Sequence, residues 1–337
     1  MKDKPSITIR DVAKRAGVSI ATVSRYINKT APVSKDVAES IQASMDELDF
    51  IPNSAARKLA KNEYNTIGLL LSDVKGDFFS VLVSEIEKDA REAGFDLLIS
   101  INRDGNKMNG ANSFPIGPQN TDGMIIFADC ASDNDLKYFY FNRYPVVLIC
   151  RTAPPEINIP SVGVENFNAS LNIVRHLIEI HNRRKIVFLR GLATHEDSLT
   201  RELGYKSALS EKNIPYNPAL VADGNFEREC AYQSIKKIIN KKIAFDAVFA
   251  SDDEAAIGAM AALADECIDI PGQVSIVSFD DQPIAPFLNP PLTTVRAPFG
   301  QVGGKAVEVL LKLINHQSVD KITVIPSELI IRHSCGC

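Results

Sequence analysis

The chain has 337 residues, 45% of them apolar and 23% charged, enough for two or three domains with sizeable cores. No run approaches the roughly 18 to 20 consecutive apolar residues that a membrane helix needs, and Met1-Lys2-Asp3-Lys4-Pro5 leads into polar sequence instead of an apolar signal segment, so a membrane protein is excluded and a cytoplasmic one expected. Six cysteines, at 130, 150, 230, 267, 335 and 337, form no CxxC pair, and the five histidines are scattered, so neither a disulfide framework nor a zinc site is indicated and no cofactor is expected.

Charge is divided unevenly along the chain. Residues 1–62 hold 11 Lys and Arg against 7 Asp and Glu, while the rest hold 26 against 35, a basic head of +4 on an acidic body of −9. A basic head leaves a nucleic-acid partner open despite the overall charge of −5. Within it, Thr8 and Asp11 form a capping-box-like start, and Ile9, Val12, Ala13 and Ala16 repeat at helical spacing until Gly17. Ser19 caps a second helix whose apolar face is Val23, Tyr26 and Ile27, so only Gly17 and Val18 separate the two and the turn must be sharp. Small Ala13 permits close approach, which is the spacing logic of a helix-turn-helix. A third helix starts at Ser34 with Val37, Ile41, Met45 and Leu48 inward. A generic three-helix bundle is the plain alternative. The second helix argues against it, because its outer residues Thr22, Ser24, Arg25 and Asn28 are hydrogen-bonding groups without acidic neighbours, a face that can enter a major groove beside phosphates.

The run Thr8-Ile-Arg-Asp-Val-Ala-Lys-Arg-Ala-Gly-Val-Ser-Ile-Ala-Thr-Val-Ser-Arg-Tyr-Ile-Asn28, followed by Val33-Ser34, Phe50-Ile51-Pro52-Asn53 and Ala56-Arg57-Lys58-Leu59, resembles the LacI family of bacterial transcription regulators. The resemblance implies that Ile20, Ala21 and Arg25 read base edges, with Arg25 the guanine contact, while Ser19, Thr22, Ser24, Asn28 and Ser34 position the phosphate backbone. It also implies that the segment from 51 to 64 pairs with its copy in a dimer, enters the minor groove and wedges Leu59 between base pairs. On composition alone that segment reads as a solvated linker.

From Asn65 onward, apolar strand-like runs alternate with helical patterns, which predicts a parallel α/β body. The runs are 66–71, 96–101, 124–128, 145–150, 185–189, 246–250 and 274–279, with a last strand at 322–332; the helices are 79–92, 166–180, 198–212, 227–241, 254–267 and 301–315. Two lobes are expected from the length. The segment 105–120, rich in Gly, Pro and Asn, is not read as a helix. The family resemblance covers this stretch too. It implies an N-terminal helix-turn-helix domain of 1–50, a hinge of 51–64 and a two-lobed periplasmic-binding-protein-like core of 65–337, with lobe 1 at about 65–164 and 292–337 and lobe 2 at about 165–291.

Ligands of such sheets bind beyond the carboxyl ends of the strands. Arg201 early in its helix, Asp252 after 247–250 and Asp280 after 274–279 occupy such places, and they offer donors and acceptors to vicinal hydroxyls, with Phe226 covering an apolar sugar face. Phe78, in Gly76-Asp77-Phe78-Phe79, falls near the same cleft. Asp253 and Asp281 read about equally well as helix N-caps. Cys150-Arg151 and Gly76-Asp77 depart from the usual family pattern at the cleft, so a sugar is the expected effector and a purine or other metabolite the alternative. His195 with Glu196 and Asp197 reads as a loop cluster, and Cys335 and Cys337 as an exposed tail. The paired aspartates invite a glycosidase reading, but the absence of GxSxG, HExxH, P-loop and GxGxxG signatures, and the unexplained head, count against an enzyme. A transport binding protein is disfavoured by the same head. The expectation is a homodimeric repressor that binds double-stranded operator DNA under control of a small-molecule effector.

Overall fold

The computed structural model describes residues 7–28, 31–50, 64–102 and 114–337, and the chain divides into two compact units, Met1–Tyr64 and Asn65–Cys337. In the first unit α1 is Ile9–Ala16, α2 Ile20–Asn28 and α3 Lys35–Glu47. The Thr8 amide and hydroxyl both donate to Asp11 Oδ2, at 2.8 and 2.7 Å, tying off the start of α1. Gly17 ends it with φ +69, the left-handed conformation glycine adopts at low cost. Val12, Ala13, Val23 and Ile41 are buried together, walled by Ile27, Val37, Met45 and Leu48. So small a core contributes about 1.5 to 3 kcal/mol per large buried side chain.

The second unit holds two six-stranded sheets. We name its elements β1 Thr66–Leu71, α4 Gly76–Glu92, β2 Asp96–Ile101, β3 Gly123–Phe127, α5 Asp133–Phe141, β4 Val146–Ile149, β5 Ser161–Val164, α6 Phe167–Glu179, β6 Ile186–Arg190, α7 Glu196–Glu211, β7 Val221–Asp223, α8 Arg228–Asn240, β8 Ala247–Ala250, α9 Asp253–Asp265, β9 Ser275–Asp280, β10 Thr293–Arg296, α10 Phe299–Ile314, β11 Ile322–Ile325 and β12 Glu328–Ile330. The first sheet runs β11-β5-β4-β3-β1-β2 and the second β12-β10-β9-β8-β6-β7. Every pairing is parallel except β10 with β12, so helices cover the faces and β1, β3 and β4 are buried at every residue.

The lobe boundaries differ from those expected. β10, expected in lobe 1, pairs with β9 in the second sheet from Thr293↔Val277 to Arg296↔Asp280, so the chain crosses after β10 instead of before it. The single terminal strand expected over 322–332 is two: β11 joins β5 in the first sheet, and β12 joins β10 in the second. Lobe 2 therefore also contains β10, β12 and the C-terminal tail. That tail is not exposed as expected. Ser334 and Cys335 are fully buried, because the Ile276 amide donates to the Ser334 carbonyl at 2.8 Å and Ser275 Oγ to the Cys335 carbonyl at 2.7 Å; Cys337 alone of the pair is exposed. Of the segment 105–120, residues 105–113 lie outside the described residues, and 114–120 form bends and turns with Phe114 and Ile116 buried. Among the described residues no helix is long and apolar enough to cross a membrane.

Candidate nucleic-acid interface and ligand cleft

Helix α2 carries one charge, that of Arg25, and no carboxylate. Ser19 caps it: the Thr22 amide donates to Ser19 Oγ at 3.1 Å, and the two hydroxyl oxygens lie 2.8 Å apart. The first-turn amides and the positive end of the helix dipole therefore sit beside Ser19, an arrangement suited to a phosphate. Ile20 is 45% exposed, and Ala21 and Arg25 are exposed beside it. Thr22, Ser24 and Asn28 are half-buried, and Asn28 Nδ2 donates to Ser24 Oγ at 3.1 Å. Exposed Ser34 stands at the N-cap of α3, its carbonyl accepting the Ala38 amide at 2.9 Å. One uninterrupted surface of a short helix thus presents an arginine, two small apolar groups and hydroxyls. Leu59, the expected minor-groove wedge, lies outside the described residues.

In the second unit, the carboxyl ends of the strands of both sheets face a cavity of about 580 Å³. Arg201, Asp252, Asp280 and Phe226 line it from lobe 2 and Phe78 from lobe 1, so all five residues selected from the sequence share one cavity. Arg201 is held rigidly. Its Nε donates to Asn166 Oδ1 at 2.8 Å, its Nη1 to the Ser251 carbonyl at 2.5 Å, and its guanidinium lies 3.7 Å over the Phe279 ring. Asp280 Oδ1 stands 3.6 Å from Nη1, beyond a hydrogen bond.

Asp280 has φ +112, a conformation that costs a non-glycine residue about 1 to 3 kcal/mol. The next residue anchors it: Asp281 accepts from Arg296 at 2.7 Å and from Arg332 at 2.6 Å. Asp253 is buried and accepts from Ser278 Oγ, the Gln282 amide and Thr294 Oγ1 at 2.5, 2.6 and 2.9 Å. Neither is a helix N-cap, one of the two readings open to each from the sequence. That role belongs to Asp252, which accepts the Ala255 amide at 3.0 Å and also lines the cavity. Two of the four aspartates therefore build the scaffold and two face the cleft.

Burial dominates the electrostatics. It pushes Asp252 up to about 7 and Asp280 well above the usual carboxylate range, against the pull of the nearby Arg201. Asp197, also in the lining, is raised by burial too. One guanidinium does not offset the burial of three carboxyl groups, so all three are held above the usual carboxylate range. Among the described residues, Asp280 Oδ1 and Gln282 Oε1, both in the lining residues, are buried acceptors without a hydrogen-bond partner, positions that ligand hydroxyl or amine donors would satisfy.

The walls are aromatic. From lobe 1, Phe78 meets Phe299 with centroids 4.5 Å apart and Phe127 at 5.6 Å. From lobe 2, Phe226 meets the His195 ring at 5.7 Å. Phe226 has φ +62, and a Cβ at Gly191 would fall 2.0 Å from its ring, so only glycine there leaves room. His195, expected in a loop cluster, is the N-cap of α7, and burial lowers its pKa. His195, Asp197, Phe127, Phe299 and Gln282 are lining residues that the sequence reading missed. His195 and Asp197 follow β6 and Gln282 follows β9, so the strand-end rule would have found them. Cys150 lines the cavity beside Asp197, while Arg151 turns away to the Ala131 carbonyl at 2.6 Å and to Asp133. Across the lobes, the Thr152 amide donates to Glu196 Oε2 at 2.7 Å.

Comparison with known proteins places both halves. Residues 8–53 match the bacterial regulatory proteins of the lacI family, and residues 174–335 match a periplasmic binding protein-like domain. The chain is 30% identical over 334 residues to the HTH-type transcriptional repressor PurR of Haemophilus influenzae (strain PittGG), covering 97% of this chain and 98% of that one. It is 32% identical over 328 residues to the HTH-type transcriptional regulator GalR of Escherichia coli (strain K12), covering 97% and 95%. Among solved structures, the lac repressor dimer bound to operator and an anti-inducer superposes with a TM-score of 0.82 at 26% identity, covering 98% of this chain and 99% of that chain. The similar proteins are transcription regulators.

Proposed function

The chain belongs to the LacI family of bacterial DNA-binding transcription regulators, and on that premise we propose that it is a homodimeric repressor of sugar-utilisation genes, released from or locked onto its operator by a sugar or sugar derivative held between the lobes. Arg25 contacts a guanine, Ile20 and Ala21 meet thymine methyls or groove shape, and Ser19, Thr22, Ser24, Asn28 and Ser34 contact phosphates. Two copies are needed because one headpiece makes few base contacts, whereas two add theirs on a palindromic site. Leu59 from each copy wedges the minor groove, so Leu59→Ala weakens specific DNA binding and spares effector affinity. Closing the lobes around the effector alters the spacing of the paired hinges, and a coupling of about 1 to 3 kcal/mol suffices to change operator affinity by 5- to 150-fold.

The observation that carries the sugar assignment is the joining, in one cavity, of Arg201, Asp252 and Asp280 with aromatic faces at Phe226 and Phe78. Charged donors and acceptors satisfy vicinal hydroxyls while a ring covers an apolar sugar face. A purine is the second reading, favoured by the edge-to-face cluster of Phe78, Phe127 and Phe299, which offers ring faces to a planar base. Thermal unfolding against sugars, sugar phosphates and purines, each well above its Kd, separates them because a specific ligand raises stability by mass action. A shift with sugars supports the first reading, and a shift with purines alone rejects it.

A further inference from the structure

At the amino-terminal ends of the strands of lobe 2, away from the ligand cleft, four side chains separated by some 150 residues converge. His176 lies in the last turn of α6 and His181 just beyond it; Cys335 and Cys337 close the chain. One ligand atom from each, two imidazole nitrogens and two sulfurs, all lie within 4.8 Å of one another. His176 Nε2 and His181 Nε2 are 3.2 Å apart, and Cys337 Sγ lies 3.6 and 3.4 Å from them. A tetrahedral zinc ion with Zn–S of about 2.3 Å and Zn–N of about 2.0 to 2.1 Å has N···N and S···N edges of roughly 3.4 and 3.6 Å. The three edges among His176, His181 and Cys337 are close to these values, and Cys335 Sγ lies within 4.8 Å of all three.

From this geometry we propose that His176, His181, Cys335 and Cys337 bind a structural zinc ion that fastens the C-terminus to helix α6. Two further features support it. Gly336 has φ +115, and a Cβ there would approach His181 Nδ1 to 3.0 Å, so the Cys-Gly-Cys turn is built around the imidazole. The chain leading into the turn is pinned: the Thr293 amide donates to Ser334 Oγ at 2.8 Å and the Thr293 hydroxyl lies 3.2 Å from Cys335 Sγ, so the thiols are presented on a fixed backbone. Two soft sulfurs with two imidazoles in a tetrahedron select zinc over oxygen-seeking cations, and four protein ligands leave no open position for catalysis. Binding displaces the two thiol protons to solvent. Exposed Cys337 provides the entry path. The five scattered histidines and lone cysteines of the sequence concealed this cluster because it forms only when the tail packs under β9 and β10.

The test uses the full-length chain without a histidine tag, purified under reducing conditions. Elemental analysis is expected to find about one zinc per chain. Exchange for cobalt is expected to give the intense d–d absorption and thiolate-to-cobalt charge transfer of a tetrahedral site with sulfur ligands. Cys337→Ser and His181→Asn should each lose the zinc, and chelation should lower the unfolding temperature of the parent chain but not of these variants. The proposal is overturned if the parent chain reloaded with zinc retains none after dialysis, if cobalt shows only the weak spectrum of octahedral oxygen ligation, if both folded variants keep a full equivalent, or if the reduced protein carries a Cys335–Cys337 disulfide instead. The cobalt spectrum is read on the parent chain, so a variant that fails to fold does not decide the outcome.

Discussion

Oδ1 of Asp280 faces Nη1 of Arg201 across 3.6 Å, and among the described residues it accepts no hydrogen bond. Arg201 is meanwhile fastened by Asn166 and the Ser251 carbonyl. The carboxylate is therefore oriented but unsatisfied, an arrangement that suits a ligand donor better than it suits fold stability. Asp280→Asn keeps the shape but replaces one carboxyl oxygen with an amide nitrogen, and is expected to weaken effector binding by about 0.5 to 1.5 kcal/mol, the range for an ordinary hydrogen bond, with DNA binding retained. Isothermal titration and operator binding check it together. A variant with full effector response would remove Asp280 from the site.

The headpiece is tested by Arg25→Ala. Arg25 is exposed on a helix whose own core residue, Val23, is buried, so the substitution should leave the fold intact. It is expected to cost roughly 1 to 3 kcal/mol on the best operator and to relax preference at one base pair. Selection from a randomised DNA library reads the second effect, and an unaltered consensus would refute the assigned role.

Gly191→Ala probes the aromatic wall. The added methyl would meet the Phe226 ring at 2.0 Å, so the ring must swing out of the cavity. Effector affinity should fall about tenfold, equivalent to about 1.4 kcal/mol, while operator affinity without effector is unchanged. Gly191→Ala combined with Phe226→Ala should then bind no worse than Phe226→Ala alone.

Burial raises Asp252 from 3.8 to about 7. Between those values the folded chain holds a proton that the unfolded chain has lost, so the contribution of Asp252 to stability falls as pH rises through this interval. Asp252→Asn, which retains a good N-cap residue, should gain stability relative to the parent as pH climbs from about 4 to 7. A ligand donating to Asp252 favours the anion, so binding should release a proton and tighten with rising pH, by up to about tenfold per unit below 7 for one proton. Titration in buffers of different ionisation enthalpy measures the proton directly, and a pH-independent affinity in both proteins would contradict the assignment.

Much of this was legible in the sequence, for identifiable reasons. Helices α1 to α3 declare themselves through Thr8, Gly17, Ser19 and Ser34 and a helical apolar repeat, and β1 and β3 through nearly continuous apolar runs. β10 escaped because its four residues, two of them threonines, show no periodicity. It is a strand only because β9 offers an edge to pair with. Asp252 and Asp253 are neighbours with identical chemistry, and only the backbone shows which one caps α9 and which one braces Ser278 and Thr294. Phe127 and Phe299 look like ordinary core residues until two lobes face each other. The four ligands at the C-terminus belong to the same class, joined by tertiary packing alone.

The central claim is that occupancy of the cleft alters what the headpiece does to DNA. The most direct measurement is the affinity of the full-length chain for DNA from upstream of its own gene, by fluorescence anisotropy, with and without the ligand found in the thermal screen. The account predicts selective binding that the ligand changes by about 5- to 150-fold, and no such change for Asp280→Asn. Equal affinity for that DNA and a random duplex, or an affinity indifferent to a ligand that demonstrably binds the cleft, would contradict it.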